Sequence, residues 1–193
     1  MRKFTYLLAI LSIIGMLAAC SLSPSIDGTG DDGDTGGDTN GDGDPAPENI
    51  LVFASDRGTG TDLEIYSLNL DTDTVTQLTD NTVTDKHPDL SADGTKIAFV
   101  SNRSGIWAIH TMDWDGGNVS GALATLDSDS DGNPSWSPDG VKIAYDNISD
   151  IHTMNSDGSG KVNFTNDQFF TANHPSWSPD GAELAYSANY DGD

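Results

Sequence analysis

HPSWSPDGAELAYSANY, at residues 174–190, indicates a repeat fold, because related copies of it occur twice upstream. The copies are HPDLSADGTKIAFVSNR at residues 87–103 and NPSWSPDGVKIAYDN at residues 133–147. Their prolines, Pro88, Pro134 and Pro175, are spaced 46 and 41 residues apart. Self-similarity at a period near 43 residues indicates a repeat architecture.

A second phrase follows the first within each period. It occurs as IYSLNLDTDTVTQLT (65–79), IHTMDWDGGNVSGAL (109–123) and IHTMNSDGSGKVNFT (151–165). The segment ILVFASDRG (50–58) matches IAFVSNRSG (97–105) but lacks the proline-containing opening. The repeats therefore begin near residue 49 and continue to residue 193.

Each phrase predicts short strands joined by tight turns. Pro-Asp-Gly is typical of a turn, since Pro fixes φ and Gly accepts the left-handed position. Lys142–Tyr145 and Ile151–Met154 alternate polar and apolar residues with period two, as a strand with one buried face does. Four such strands in about 43 residues form the unit of a β-propeller blade. The predicted fold class is all-β, a propeller of four-stranded antiparallel blades.

These phrases resemble the repeats of TolB-like propellers, the WD-repeat-like units of many bacterial envelope proteins. HPSWSPDG, KIAFVSNR and IHTMNSDGSG carry the resemblance, which covers about residues 50–193. Members of the family include the periplasmic Tol-system protein, the propeller domains of prolyl-oligopeptidase-type enzymes, oligogalacturonate lyases and lipoproteins. The resemblance is specific for the fold and leaves the function open.

The strand count predicts an incomplete ring. Three strands are expected in residues 50–80, four in 86–126, four in 133–165 and two in 174–190, or about three and a quarter blades. Propellers close with four to eight blades, and six TolB-like repeats of this period need about 260 residues. We therefore expect a truncated fragment of a longer lipoprotein, or an oligomer that closes the ring between chains.

The N-terminus predicts export and lipidation. Arg2 and Lys3 precede an apolar run that ends in Leu-Ala-Ala-Cys20, a pattern that suits a secretory signal and resembles the lipobox of bacterial lipoproteins. Residues 1–19 are predicted as the signal peptide and Cys20, the single cysteine, as the lipidated residue. The predicted location is the extracytoplasmic bacterial envelope, periplasmic or at the cell surface, with the outer membrane favoured in a Gram-negative host.

Residues 20–48 are predicted as the lipidated cysteine plus a disordered tether. Residues 21–48 contain eight acidic residues, seven glycines and no basic residue, so they lack the apolar surface needed to offset chain entropy. Residues 49–193 are the predicted propeller repeats, with six basic and 23 acidic residues and a net charge of −17. A charge of this sign repels phosphate and excludes nucleic acid as a partner.

Two Asp-rich segments fit the opening of a calcium loop, D-x-[DN]-x-[DN]-G. Residues 38–43 form one, within the tether. Asp127, Asp129 and Asp131 form the other, between two blades, and are the candidate metal ligands. Neither segment has the closing Glu at position twelve, so a solvated acidic linker is the alternative interpretation.

Histidines recur once per repeat, which favours structural roles. His87 and His174 share one repeat position, and His110 and His152 share another. Trp107 and Trp114 do not recur, so they are the candidate partner-binding residues. No nucleophile elbow, paired metal-binding histidines or phosphate loop is found in the sequence, and no catalytic residue or cofactor is predicted.

The predicted function is non-catalytic binding of a protein or glycan partner in the envelope. One alternative is the propeller part of a larger enzyme, a prolyl-oligopeptidase-type peptidase or an oligogalacturonate-lyase-like protein, whose catalytic part is missing. A second alternative is a carbohydrate-binding or adhesive surface module.

Overall fold

The computed structural model describes residues 21–22, 49–58, 60, 62–126, 132–166 and 170–190. These residues form strands and turns, and no helix long and apolar enough to cross a membrane is found among them. The fourteen strands are β1 Ser21–Leu22, β2 Ile50–Ser55, β3 Glu64–Asn69, β4 Thr74–Gln77, β5 Asp85–Leu90, β6 Lys96–Ser101, β7 Ala108–Asp113, β8 Ala124–Thr125, β9 Ser135–Trp136, β10 Lys142–Asn147, β11 Asp150–Asn155, β12 Val162–Asn163, β13 Phe170–Trp177 and β14 Leu184–Tyr190.

The strands form four antiparallel sheets in chain order, which we number as blades 1 to 4. Blade 1 is β1–β4, blade 2 is β5–β8, blade 3 is β9–β12, and blade 4 is the pair β13–β14. Strand order within each sheet follows the sequence without crossovers. The predicted all-β architecture of four-stranded blades is confirmed, as is the count of three, four, four and two strands after residue 49.

The first strand of blade 1, β1, comes from the segment predicted to be a disordered tether. The backbone of Ser21–Leu22 pairs antiparallel with Val52 and Leu51. It occupies the place that the proline-containing strand takes in later blades, where β2 would otherwise present unpaired backbone groups. The rest of the predicted tether lies outside the described residues and stays a prediction, as does the signal peptide.

The Ser-x-Asp-Gly turns connect the first and second strands of blades 2, 3 and 4. In each turn the Ser hydroxyl donates to the Asp carboxylate at 2.6 Å, in the pairs Ser91–Asp93, Ser137–Asp139 and Ser178–Asp180. The glycine amide donates back to the Ser carbonyl at 2.9 Å in all three. In blades 2 and 3 the connection between third and fourth strands emerges at the same end of the sheet. We call this end the turn face.

Apolar side chains pack between neighbouring blades and form the core. Ile50, Val52, Ala54 and Ile65 of blade 1 meet Leu90, Ile97, Phe99 and Met112 of blade 2. The opposite side of blade 2 meets Trp136, Ile143, Tyr145 and Met154 of blade 3. Leu90 and Trp136 occupy the same repeat position, so this position serves packing between blades.

Acid is expected to weaken the Ser-x-Asp-Gly turns. The Ser137 hydroxyl lowers the pKa of Asp139, and the Val141 amide lowers it further. A carboxyl whose pKa is lower in the folded state stabilises the fold above its unfolded pKa, and this contribution disappears as the pH falls through the folded value. Ser137→Ala should therefore reduce the free energy of unfolding more at pH 7 than at pH about 2, because the contribution of the ionised carboxylate decreases as the pH falls.

Urea unfolding of the wild type and Ser137→Ala at both pH values measures this difference. Thr125→Ala, on an exposed strand residue, is the control for a hydroxyl without such a partner. An equal loss of stability for Ser137→Ala at both pH values would show that the turn carboxylate contributes through packing alone.

Candidate functional site

A cavity of about 300 Å³ opens between blades 2 and 3 on the turn face. Blade 2 contributes its Ser-x-Asp-Gly turn, and blade 3 contributes Trp136 and the turn between its third and fourth strands. Polar side chains dominate the lining, which includes Asp93, Lys96, Thr111, Trp136, Ser156 and Asp157. We call this space the interblade cavity.

Two turn carboxylates line the interblade cavity. Burial alone would raise the pKa of Asp93, but hydrogen bonds from Ser91 and Thr95 outweigh it and lower the pKa. These bonds come from the Ser91 hydroxyl at 2.6 Å and from the Thr95 amide and hydroxyl at 3.1 and 3.0 Å, and all end on Oδ1. Hydrogen bonds from Ser159 lower the pKa of Asp157. Both carboxylates are therefore ionised at neutral pH.

The positive charge of the cavity is already neutralised. The Lys96 ammonium forms an ion pair with Asp113, whose Oδ2 also accepts a hydrogen bond from the Asn118 amide at 2.5 Å. Burial alone would raise the pKa of Asp113, but Lys96 and Asn118 lower it. The cavity therefore presents carboxylates, hydroxyls and an aromatic ring, with a cation that is engaged elsewhere.

Trp136 is the buried aromatic wall of the cavity, with 8% of its surface exposed. Its backbone amide donates to Oδ2 of Asp89 at 2.7 Å. Its indole Nε1 is buried and has no acceptor. Trp177, at the same repeat position in blade 4, donates its Nε1 proton to the Ser135 carbonyl at 3.2 Å. The indole N–H of Trp136 therefore has no acceptor, whereas the equivalent N–H of Trp177 has one.

A second polar cluster joins blades 1 and 2 at the end opposite the turn face. Glu64 accepts hydrogen bonds from the Thr79 hydroxyl at 2.5 Å and the Asn81 amide at 2.8 Å. The Asn81 side chain also donates to Asp85 at 2.8 Å, and Arg103 pairs with the same Asp85 oxygen at 2.8 Å. Burial raises the pKa of Glu64. We call these five residues the joint cluster.

The joint cluster is a structural connection between blades. Glu64 is 1% and Asp85 0% exposed, so a substrate has little access to either carboxylate. Across the part of the chain that the structure describes, no group of three His, Cys, Asp or Glu side chains could hold a metal ion. Thr165 donates to Asp150 in the same way at 2.8 Å in blade 3, so the carboxylate–threonine contact belongs to the repeat.

Trp107 and Trp114, the predicted partner-binding residues, lie at opposite ends of β7 and are not brought together. Trp107 is half-buried against the core between blades 2 and 3, with the Lys86 ammonium 4.9 Å from its ring centroid. Trp114 is half-buried against the core between blades 1 and 2. A partner-binding role for either residue stays a prediction, and the two do not form one surface.

The recurring histidines take structural positions. His110 is 2% exposed, and its ring lies 5.8 Å from that of Phe99. Tyr145–His152 and Phe53–Tyr66 form the corresponding pairs in blades 3 and 1. Burial lowers the pKa of His110, although a hydrogen bond to the Ser120 carbonyl opposes this. His110 is therefore neutral at pH 7.

His87 and His174 occupy a second recurring position, at which the backbone φ angle is positive. Their φ angles are 52° and 55°, and Asn133 has 30° at the equivalent place in blade 3. His87 and His174 each lie at an irregularity in the pairing of the first strand of their blade, β5 or β13. The backbone of the repeat thus explains their recurrence.

Several sequence-predicted residues lie outside the described part of the chain. They are Cys20, the Asp-rich residues 38–43, and the candidate metal ligands Asp127, Asp129 and Asp131. Lipidation and calcium binding therefore stay predictions. The sequence analysis did not predict the interblade cavity. Its sequence signal is that a Ser-x-Asp-Gly turn in one repeat lies next to a Ser-Asp-Gly turn in the following repeat.

A family model described as the TolB beta propeller domain matches residues 44–193. An uncharacterized protein of Agrobacterium fabrum is 35% identical over 126 residues, which cover 58% of this chain and 41% of the relative. The chain thus spans less than half the length of that curated relative.

Two solved structures are similar to this one. A structure described as TolB from Agrobacterium tumefaciens has a TM-score of 0.60 and 24% identity, covering 74% of this chain and 55% of that one. TolB from Acinetobacter baumannii has a TM-score of 0.50 and 30% identity, covering 58% of this chain and 28% of that one. The comparisons agree with the blade architecture described above.

Proposed function

The chain belongs to the TolB beta propeller domain family, and from this membership we propose that it is a non-catalytic binding module of the bacterial cell envelope. The turn face is the proposed binding surface for a protein or glycan partner. In this proposal the lipidated Cys20, directly before β1, holds the blades at the membrane, outside the cytoplasm.

The proposal is carried by the observation that most of the recurring side chains are used in holding the blades together. Recurring histidines, tryptophans and turn carboxylates are used in packing and hydrogen bonds within and between blades. Glu64 accepts hydrogen bonds from Thr79 and Asn81, and Oδ2 of Asp85 accepts hydrogen bonds from Asn81 and Arg103. Among the described residues, what remains for function is the exposed surface of the turns, which suits recognition of a partner better than chemistry on a substrate.

Loss of the anchor is the expected result of Cys20→Ser. The wild-type chain should incorporate a clickable palmitate analogue in bacterial cells and sediment with membranes, because acyl chains partition into the bilayer. The variant should lose the label and leave the membrane fraction. Thr35→Ser, within the predicted tether, is the matched control and should keep both. Labelling of the Cys20→Ser variant would contradict the lipobox assignment.

A turnover assay separates binding from the enzyme alternatives. The purified chain should not cleave a prolyl peptide or polygalacturonate, with and without added manganese or calcium. Turnover that survives purification of the chain to homogeneity would contradict the non-catalytic proposal.

A further inference from the structure

We propose that the segment after Cys20 is the first strand of blade 1 rather than a tether, so that the lipid anchor holds one end of the blades directly against the membrane. That end lies opposite the turn face and contains the connections 56–63, 102–107 and 148–149 between second and third strands. We call it the anchor face. The inference rests on the lipidation of Cys20 in the proposed function, and it adds which surface the membrane contacts and which it leaves free.

The sequence after Cys20 is a degenerate copy of the opening of the repeat. Cys-Ser-Leu-Ser-Pro, at residues 20–24, is identical at three of five positions to Pro-Ser-Trp-Ser-Pro at residues 134–138 and 175–179. Leu22 stands where those copies have Trp, and Leu90 stands there in blade 2. Cys20 takes the place of the repeat proline.

The strand register agrees with this alignment. In every blade the apolar residue of the opening phrase pairs with the residue that lies two places before an aromatic residue of the second strand. The pairs are Leu22–Leu51, Leu90–Ile97, Trp136–Ile143 and Trp177–Leu184. Backbone pairing and sequence therefore assign the same role to β1 independently.

The direction of β1 places the anchor at one end of the blades. β1 runs toward the turn face, as β5, β9 and β13 do, so Cys20 precedes it on the side of the anchor face. Beyond Val52, the partner of Ser21, β2 continues for three residues, or about 10 Å. A leaflet holds about 15 Å of hydrocarbon. Acyl chains that start about 10 Å above the end of the blade enter the leaflet only if that end meets the lipid headgroups.

Exposed isoleucines lie on the anchor face of two neighbouring blades. Ile106, before β7, is 53% exposed, and Ile148, between β10 and β11, is 64% exposed. The two-residue turn Ile148–Ser149 has φ angles of 48° and 66°, which favours Asn-Gly, and a β-branched residue there is strained. Strain of this kind is kept at functional positions. Apolar side chains at this end suit insertion at the boundary of headgroups and acyl chains.

The tryptophans report on the two ends separately. Trp107 precedes β7 at the anchor face, with the Lys86 ammonium 4.9 Å from its ring centroid, and Trp and Lys are typical of membrane interfaces. The other three of the four tryptophans, Trp114, Trp136 and Trp177, lie at the turn-face ends of their strands. Quenching by lipid should therefore select Trp107.

Tryptophan quenching tests the orientation on the full lipidated chain, purified from bacterial membranes and reconstituted in vesicles of brominated phosphatidylcholine. We expect part of the emission to be quenched, with that part lost in Trp107→Phe and kept in Trp114→Phe. Ile106→Ser combined with Ile148→Ser should reduce the quenching. The matched control is Val75→Ser combined with Val162→Ser, at exposed positions of the outermost strands, which should leave it unchanged.

Two insertions separate a strand from a tether. Twenty alternating Ser and Gly residues placed directly after Cys20 lengthen the link by about 25 Å and keep a serine next to the cysteine. They should abolish the quenching while the chain still floats with the vesicles. The same insertion after Gly33, between β1 and β2, should keep the quenching, whereas a tether formed by residues 21–48 would respond alike to both.

The outcomes distinguish this inference from the proposed function. Equal effects of the two insertions, or quenching that persists in Trp107→Phe, would overturn the assignment of β1 and the anchor face, while flotation of the chain would still support a lipid-anchored binding module. A wild-type chain that does not float with the vesicles would remove the Cys20 anchor from the proposed function and this inference with it.

Discussion

Arg103→Ala is expected to lower the free energy of unfolding by about 3 kcal/mol, because it leaves the buried Asp85 carboxylate without its cation. Asp85 is fully buried, and 25% of the Arg103 side chain is exposed. The guanidinium also lies 4.9 Å from the centroid of the Phe99 ring, a contact that adds about 0.5–1 kcal/mol. A loss of this size is a large fraction of the 5–15 kcal/mol that is typical of a domain.

Arg57→Ala is the matched control for Arg103→Ala. Arg57 occupies the equivalent repeat position in blade 1 and lies 5.1 Å from the centroid of the Phe53 ring, but it is exposed. Its removal should cost less than about 1 kcal/mol. Urea unfolding followed by tryptophan fluorescence compares the two variants. Equal losses would mean that the ring contact, and not the Asp85 ion pair, accounts for the effect.

A double variant separates the charge from the packing. Asp85→Asn in the Arg103→Ala background removes the uncompensated charge, so it should recover part of the lost stability. No recovery would show that the joint cluster does not depend on charge pairing.

Asp146→Ala is the second large effect that we expect, a loss of about 3 kcal/mol. Asp146 is 2% exposed and accepts hydrogen bonds from the Gly132 amide at 3.0 Å, the Asn133 side chain at 2.8 Å and the His174 amide at 3.3 Å. Truncation leaves these donors unsatisfied inside the protein. Because His174 belongs to β13, the loss should also loosen blade 4.

Hydrogen exchange detects the second part of this expectation. The amides of β13 and β14 should exchange faster in Asp146→Ala than in the wild type, while those of β6 and β7 change little. Asp146→Asn keeps the shape and one acceptor oxygen, so it should lie between the wild type and the alanine variant. Unchanged exchange in blade 4 would contradict the role of Asp146 as its connection to blade 3.

The repeat made the blades predictable, because period and turn chemistry depend on neighbours in sequence. Pro-Asp-Gly marks the turn, alternation marks the strands, and the count of thirteen strands after residue 49 follows from both. Leu90 and Trp136 could be assigned to packing between blades for the same reason: they recur.

Residues that break the repeat could not be interpreted in this way. Asp146 replaces the apolar residue that blade 2 has as Val100, and only the structure shows the three donors around it. The joint cluster combines Glu64 with Arg103, which are 39 residues apart and belong to different blades. Trp107 and Trp114 do not recur, and the strand that the repeat predicts between them, β7, places them at opposite ends of the blade.

Site-specific photo-crosslinking in bacterial cells tests whether the turn face binds a partner in the envelope. A benzoylphenylalanine would be placed in the full chain at Asp115 or Asp139, exposed on the turn face, and for comparison at Val75 or Val162 on the outermost strands, which are 41% and 57% exposed. We expect a discrete crosslinked partner from Asp115 or Asp139 and none from Val75 or Val162. Crosslinks confined to the outermost strands, or absent from all four positions, would contradict this expectation.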